Sequence, residues 1–151
     1  MINNDRIALE TEIENLKNYI ALEEMRQSDS LKLQLKTTGE FAGKEIAPML
    51  LLPFVENAFK HGRNTTSGQY WISIDIAAKN GTLIFSCENY ADNTPNEVQE
   101  NNKGLGLENV KRRLDLIYPN KYELTIAHPD HIFKVHLKVK LDEDTSHHSR
   151  R

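Results

Sequence analysis

Pro53-Phe54-Val55-Glu56-Asn57-Ala58-Phe59-Lys60-His61-Gly62 is the stretch on which the reading of this chain turns. Residues three and four apart share a face of a helix, so helical spacing sets Asn57 beside Lys60 and His61, and Glu56 beside Lys60. Leu50, Leu51, Phe54, Val55, Ala58 and Phe59 supply the apolar face that a core would take up. A helix that buries one side and offers Glu, Asn, Lys and His on the other suits a metal-bound phosphate. Asn gives a carbonyl oxygen to a hard cation such as Mg²⁺, and Lys gives phosphate oxygens a mobile positive charge. Taken alone, the same pattern also describes an amphipathic helix with a solvated polar face, and His61 also suits the C-terminal end of a helix.

Further along, Lys103-Gly104-Leu105-Gly106-Leu107-Glu108-Asn109-Val110-Lys111-Arg112-Arg113-Leu114 reads as a glycine-rich turn that opens a helix. Glycine allows positive φ and close approach of backbone N–H groups to a ligand. A helix N-terminus directly after such a turn favours anions. A lone Gly-x-Gly is a weak signal, and by itself it reads as a turn and a helix cap. Following the first stretch and opening a helix, it is a phosphate cradle.

The two stretches together resemble the N box and the second glycine box of a histidine-kinase ATP-binding domain. The likeness is to the LytS-like sensor kinases of two-component systems, whose N box reads Pro-x-x-Glu-Asn-Ala-x-Lys-His-Gly. It begins with the helix around residues 10–26, where Glu23-Glu24-Met25-Arg26 stands in place of the family's Glu-x-x-Arg, and runs to a terminal strand at residues 135–141. The resemblance implies an α+β protein: a two-layer α/β sandwich of Bergerat type, with a mixed sheet packed on helices and ATP held between helices and a lid. It implies Asn57 as the Mg²⁺ ligand, Glu56, Asn57 and Lys60 as catalytic residues, and Lys60 and His61 facing the phosphates or ribose. Backbone N–H groups of Gly104, Leu105 and Gly106 would reach the phosphates, with Leu107 and Asn109 beside them. The implied activity is transfer of the γ-phosphoryl group of Mg-ATP to a histidine for relay to a response regulator. The implied partners are therefore ATP, a phosphoacceptor helix and that regulator. Residues 1–28 would link to the dimerisation and phosphoacceptor region, residues 29–141 would form the ATP-binding domain, and residues 142–151 a disordered tail.

The chain departs from the family in several places. The adenine-reading pattern Asp-x-Gly-x-Gly is replaced. The strand Leu83-Ile84-Phe85-Ser86-Cys87 runs into Glu88-Asn89-Tyr90-Ala91-Asp92-Asn93, and alternation puts Phe85, Cys87 and Asn89 on one face. Asn89 then aligns with the family's Asp, and Ala91 and Asn93 with its glycines; Glu88 takes the place of Asn89 if the register slips by one. An Asn can accept a hydrogen bond from an adenine amino group and can also donate, but Asn89 also reads as a strand-end turn residue. His128-Pro129-Asp130-His131-Ile132-Phe133 replaces the Gly-Thr pair that precedes the last strand, and no His occurs before His61. The phosphoacceptor is therefore expected outside this chain. ATPases of the superfamily place a Glu four residues before the metal-binding Asn; that position is Pro53, which favours a kinase over a hydrolase. The competing reading is a module that has lost nucleotide and survives as an interaction domain; a serine-directed kinase on the same fold is a third.

Composition sets the remaining bounds. With 151 residues, 38% hydrophobic and 27% charged, the chain is one globular domain with a single core. A net charge of −3 gives no sign of nucleic-acid binding. Lys111-Arg112-Arg113 is expected on a solvated helix face or near phosphates. The single cysteine, Cys87, lies in an apolar strand and reads as packed core, which fits a reducing, cytoplasmic compartment. No apolar run approaches the ~20 residues of a membrane span, and no membrane contact is expected of this piece, although the family places such domains in membrane sensors. Periodicity predicts a helix over residues 5–27 with Asp5 as a cap, a strand at residues 31–36, a loop at 39–45, and a helix begun near Pro48 and ended by Gly62. Strands at residues 70–79 and 82–88 flank an Asn80-Gly81 turn. A polar lid covers residues 90–103, a helix 106–118, and a closing hairpin 122–127 and 132–141. Trp71 and Phe85 are expected in the core.

Overall fold

A computed structural model describes residues 5–27, 30–63, 70–91 and 107–143. Five strands form one mixed sheet in the order β2-β4-β5-β7-β6: Lys32–Gly39, Trp71–Lys79, Thr82–Tyr90, Ile132–Lys140 and Tyr122–Ala127. β2 runs parallel to β4 and every other neighbour is antiparallel. Three helices, α1 (Leu9–Arg26), α2 (Leu52–Arg63) and α3 (Leu107–Ile117), share one core with one face of the sheet. A small second sheet joins β1 (Ile7–Ala8), β3 (Lys44–Ile46) and β8 (Asp142–Glu143). The mixed sheet packed against helices is the expected α+β architecture.

Strict alternation drives the large sheet. In β4, Ile72, Ile74 and Ile76 point inward, and in β5 Leu83, Phe85, Cys87 and Asn89 do the same. β7 contributes Phe133, Val135, Leu137 and Val139. Burying each Val, Ile, Leu or Phe side chain among these is worth roughly 1.5–3 kcal/mol. Asn80 and Gly81 both take positive φ, 53° and 77°, so the β4–β5 hairpin closes through the mirror-image turn that matches strand twist. Cys87 is buried under the Phe54 carbonyl, and burial pushes its thiol up to about 12; it is a packing residue.

Several expectations need correction. Trp71 stands half-buried on the open face of the sheet rather than in the core, because it alternates with Ile72. Asp5 does not cap α1: β1 intervenes, and the cap position, Ala8, makes no side-chain hydrogen bond. The expected loop at residues 39–45 contains the start of β3, and Asp142 and Glu143, assigned to the tail, form a strand against Glu45 and Lys44. Tyr118 explains that closure. Its hydroxyl accepts from the Ala47 N–H (2.9 Å) and donates to Asp142 (3.3 Å), which also holds Arg6 at 2.6 Å. Gly62 lies inside α2 rather than past its end. A Cβ there would meet the Tyr70 ring at 2.5 Å, so close approach, not capping, requires the glycine.

Nor does α2 start at Pro48. Met49 adopts φ 62°, and the turn before Leu52 is gripped from two sides. The buried Glu12 carboxylate of α1 accepts the N–H groups of Met49, Leu50 and Leu51 at 3.0, 3.1 and 3.3 Å. Arg113 of α3 donates to the carbonyls of Pro48 (2.9 Å) and Met49 (3.4 Å), so it does not simply face solvent. Glu12 thus supplies the charge that the N-terminal end of α2 favours. Glu12→Ala is expected to lower stability by about 3 kcal/mol, since it strands three N–H groups. Glu12→Gln should cost less, and the exposed Glu14→Ala under about 0.5 kcal/mol. Urea unfolding of the three variants checks this ranking, and equal midpoints for Glu12→Ala and Glu14→Ala would refute it.

Candidate functional site

α2 lies along β5 with the two running in the same direction. Phe54 packs on Phe85 (centroids 5.8 Å) and its carbonyl meets Cys87. Two turns later His61 stacks on Phe133 (5.7 Å, 28° between planes), the β7 partner of Asn89. Asn57, between Phe54 and His61 on the helix, is thereby carried over the end of β5 that holds Asn89.

The polar residues of α2 do not share one face as the spacing predicts. Glu56 and Lys60 are exposed, Asn57 is only 4% exposed, and His61 is half-buried. The pairs Glu56/Lys60 and Asn57/His61 are each one turn apart, and successive residues are displaced by about 100°. One pair therefore meets solvent while the other enters the interface between helix and sheet.

That interface contains polar atoms with no hydrogen-bond partner among the described residues: Asn57 Nδ2 and Oδ1, Asn89 Oδ1, His61 Nε2 and His128 Nε2. Buried polar groups are almost always paired, and leaving one unpaired costs about 1–3 kcal/mol. Unsatisfied atoms converging at one end of a helix–strand interface mark a place where a polar ligand completes the structure.

Asn89, 1% exposed, also settles its own orientation. Its Nδ2 donates to the Tyr90 carbonyl at 2.9 Å. A carbonyl can only accept, so the amide nitrogen must face it and Oδ1 is left as an open acceptor. Glu88 lies on the opposite face of the sheet, 3.9 Å from Lys134, so Asn89 and not Glu88 faces the helices.

The β6–β7 turn supplies residues that spacing alone did not pick out. His128 lies against Phe133 (6.2 Å), and His131 stacks flat on Tyr90 (5.6 Å, 4° between planes). Asp130 and His131 both have positive φ, 38° and 67°. The Ala91 N–H donates to the His131 carbonyl at 2.8 Å, which ties the end of β5 to this turn. The alternation of Phe133, Val135, Leu137 and Val139 already points Phe133 inward; nothing in the sequence announces that His61 and His128 flank it.

Leu107 is buried at the start of α3, and Asn109 is exposed on its first turn. Gly104, Leu105 and Gly106 lie outside the described residues, as do Asn93 and most of the proposed lid. Among the described residues no group of three or more His, Cys, Asp or Glu could hold a metal ion. A Mg²⁺ here would be held by ligand phosphates with the Asn57 carbonyl oxygen, the arrangement Mg²⁺ favours with nucleotides, and the unpaired Oδ1 of Asn57 fits that part. No helix is long and apolar enough to cross a membrane among the described residues.

This is the fold of the catalytic domain of histidine kinases. The nucleotide-free catalytic domain of histidine kinase ThkA superposes with a TM-score of 0.63 at 16% identity, over 91% of this chain and 97% of that one. Full-length ShkA in complex with AMPPNP gives 0.68 at 15% identity, over 94% of this chain and 32% of that one. ThkA in complex with the response regulator protein TrrA gives 0.62 at 14% identity, over 94% and 42%. In sequence, the chain is similar to Sensor protein kinase HptS of Staphylococcus aureus (strain USA300), 28% identical over 134 residues. That match covers 82% of this chain and 26% of HptS, so the chain spans about a quarter of the length of the curated relatives it matches. No established family profile matches it.

Burial lowers the His61 pKa below its usual 6.5, with like-charge contributions from Lys60 and then His128. A depressed folded-state value means that the neutral ring's contribution to stability is present above about pH 6.5 and lost as pH falls through the folded value. The domain is expected to lose stability on acidification from pH 7, and His61→Phe, which retains a ring against Phe133, should flatten that loss. Thermal unfolding between pH 7 and 5 checks it; identical slopes for the two proteins would remove His61 as the cause.

Proposed function

We propose that this chain is the ATP-binding catalytic domain of a sensor histidine kinase of the LytS-like type. It transfers the γ-phosphoryl group of Mg-ATP to a histidine outside residues 1–151, for relay to a response regulator. The observation that carries the reading is the pair of buried amides, Asn57 on α2 and Asn89 on the β5 strand along which it packs, both with unpaired atoms among the described residues. Support comes from the neighbours: ShkA was captured with AMPPNP and ThkA with a response regulator.

In this reading Asn89 Oδ1 accepts a hydrogen bond from the exocyclic amine of adenine. A guanine would turn its own carbonyl oxygen toward that acceptor, so the fixed amide selects adenine. His128 and Phe133 border the base, and Asn57 holds Mg²⁺ against the phosphates. Lys60, exposed one turn from Glu56, has the reach to neutralise charge on the transferred group. Gly104, Leu105 and Gly106 give backbone N–H groups to the phosphates, with Leu107 and Asn109 opening the helix behind them. Pro53 and the exposed Glu56 leave α2 without a carboxylate directed at an attacking water, so the domain retains ATP for a protein acceptor. Residues 1–28 lead toward the phosphoacceptor helix, and the domain works in the cytoplasm.

Calorimetric titration with a non-hydrolysable ATP analogue and Mg²⁺ tests this. Asn57→Ala and Asn89→Leu should each weaken binding by at least about tenfold, the effect of about 1.4 kcal/mol. Asn89→Asp should preserve binding, and the GTP analogue should bind more weakly than the ATP analogue. No binding at millimolar nucleotide, or affinity unchanged in both loss variants, would instead favour a nucleotide-free interaction module.

A further inference from the structure

The helices cover one face of the large sheet and leave the other open. Outward positions of the five strands alternate with the buried ones, and six of them are lysines: Lys32, Lys36, Lys79, Lys134, Lys138 and Lys140. Only three are carboxylates: Asp75, Glu88 and Glu123. On a chain whose net charge is −3, the open face is therefore cationic and the acidic excess lies elsewhere.

The charge is also uneven along the face. Asp75 is in register with Lys36, Glu88 reaches Lys134, and Glu123 is in register with Lys138. Toward the Asn80-Gly81 turn the lysines outnumber their partners. Lys79 pairs with Thr82, and Thr82 with Lys140. The Lys140 N–H donates to the Lys121 carbonyl. Lys121, Lys138 and Lys140 line a cleft of about 380 Å³ with Thr82 and Asn120, where Glu123 is the acid present; Glu40 shares a neighbouring recess with Lys79. None of Lys79, Lys121, Lys138 and Lys140 is in an ion pair among the described residues.

We propose that this open sheet face is a docking surface for an anionic lipid bilayer, with the Lys79/Lys121/Lys138/Lys140 cluster as its electrostatic centre. This departs from the expectation that the piece makes no membrane contact. Three features select a bilayer over a nucleic acid or an acidic protein. The face is a sheet surface whose β7 lysines stand apart along the strand, Lys138 and Lys140 by about 7 Å and Lys134 and Lys138 by about 13 Å, a spacing suited to a diffuse plane of charge. Its cations include no arginine, the side chain that reads phosphate and carboxylate groups bidentately. Trp71 and Tyr90 stand half-buried at the opposite end of the same face, the residue types that settle at a membrane–water boundary. The surface is separate from the candidate nucleotide site, which lies on the other side of the sheet and about 24 Å away along β5.

The test is cosedimentation of the whole chain with two kinds of vesicle: phosphatidylcholine alone, and one part phosphatidylglycerol to two parts phosphatidylcholine. Binding is expected to the anionic vesicles only, at about 0.1 M salt where the Debye length is about 10 Å, and to vanish near 1 M where it is about 3 Å. Lys121→Gln/Lys138→Gln/Lys140→Gln should lower the partition coefficient about 100-fold while keeping the far-UV circular dichroism of the parent. Lys17→Gln/Lys111→Gln, on the helices, and Asn57→Ala should leave it unchanged. No excess over phosphatidylcholine, equal loss in the helix-lysine control, or tighter binding to a short DNA duplex at the same salt would overturn the proposal.

Discussion

The buried carboxylate of Glu12 is the constraint from which the arrangement of the site follows. It accepts three consecutive N–H groups just before α2, at 3.0–3.3 Å, and thereby fixes where that helix begins and which way it rolls. An unpaired carboxylate this deep would cost several kcal/mol. Three N–H donors and the positive end of a helix dipole offset that cost. Arg113 holds the carbonyls of the same turn from α3, so all three helices meet at one four-residue segment. With α2 set in this way, Phe54 is committed to Phe85, His61 to Phe133, and Asn57 to the strand end between them.

What this frame encloses is a set of groups that the described residues do not satisfy. Asn57 and Asn89 are two of the four buried polar residues among the described ones, yet three of their four side-chain polar atoms lack partners there. The exception is the Asn89 nitrogen, which Tyr90 holds. Evolution rarely leaves such atoms buried without use, and a frame that resists rearrangement keeps them from collapsing onto each other. Asn89 carries no charge but presents an oriented acceptor, because the neighbouring Tyr90 carbonyl fixes the amide.

The two sides of the sheet do different chemistry with one alternating pattern. Inward residues build the core and, at one strand end, the candidate ligand site; outward residues carry lysines that none of the described helices covers. A strand such as β7 serves both, with Phe133 beside His61 and Lys138 and Lys140 on the reverse. Period-two alternation separates these surfaces without any additional element.

The sequence alone determined the alternation of the strands, the Asn80-Gly81 turn, the apolar face of α2 and, through its resemblance, the α+β architecture. Each of these depends on neighbours within a few residues. It also put Asn89 on the same strand face as Phe85 and Cys87. Tertiary structure alone decided the rest. Asn57 parts from Glu56 and Lys60 because the packing of α2 on β5 decides which of the polar pairs that helical spacing sets apart is buried. Gly62 is needed for the Tyr70 ring, and Asp142 joins a strand because Tyr118 and Arg6 hold it. Glu12 reads as one more acid on an amphipathic helix; only the arrival of Met49, Leu50 and Leu51, far along the chain, makes it a cap. Such long-range contacts leave no local period in the sequence, and so they become visible only once the chain is folded.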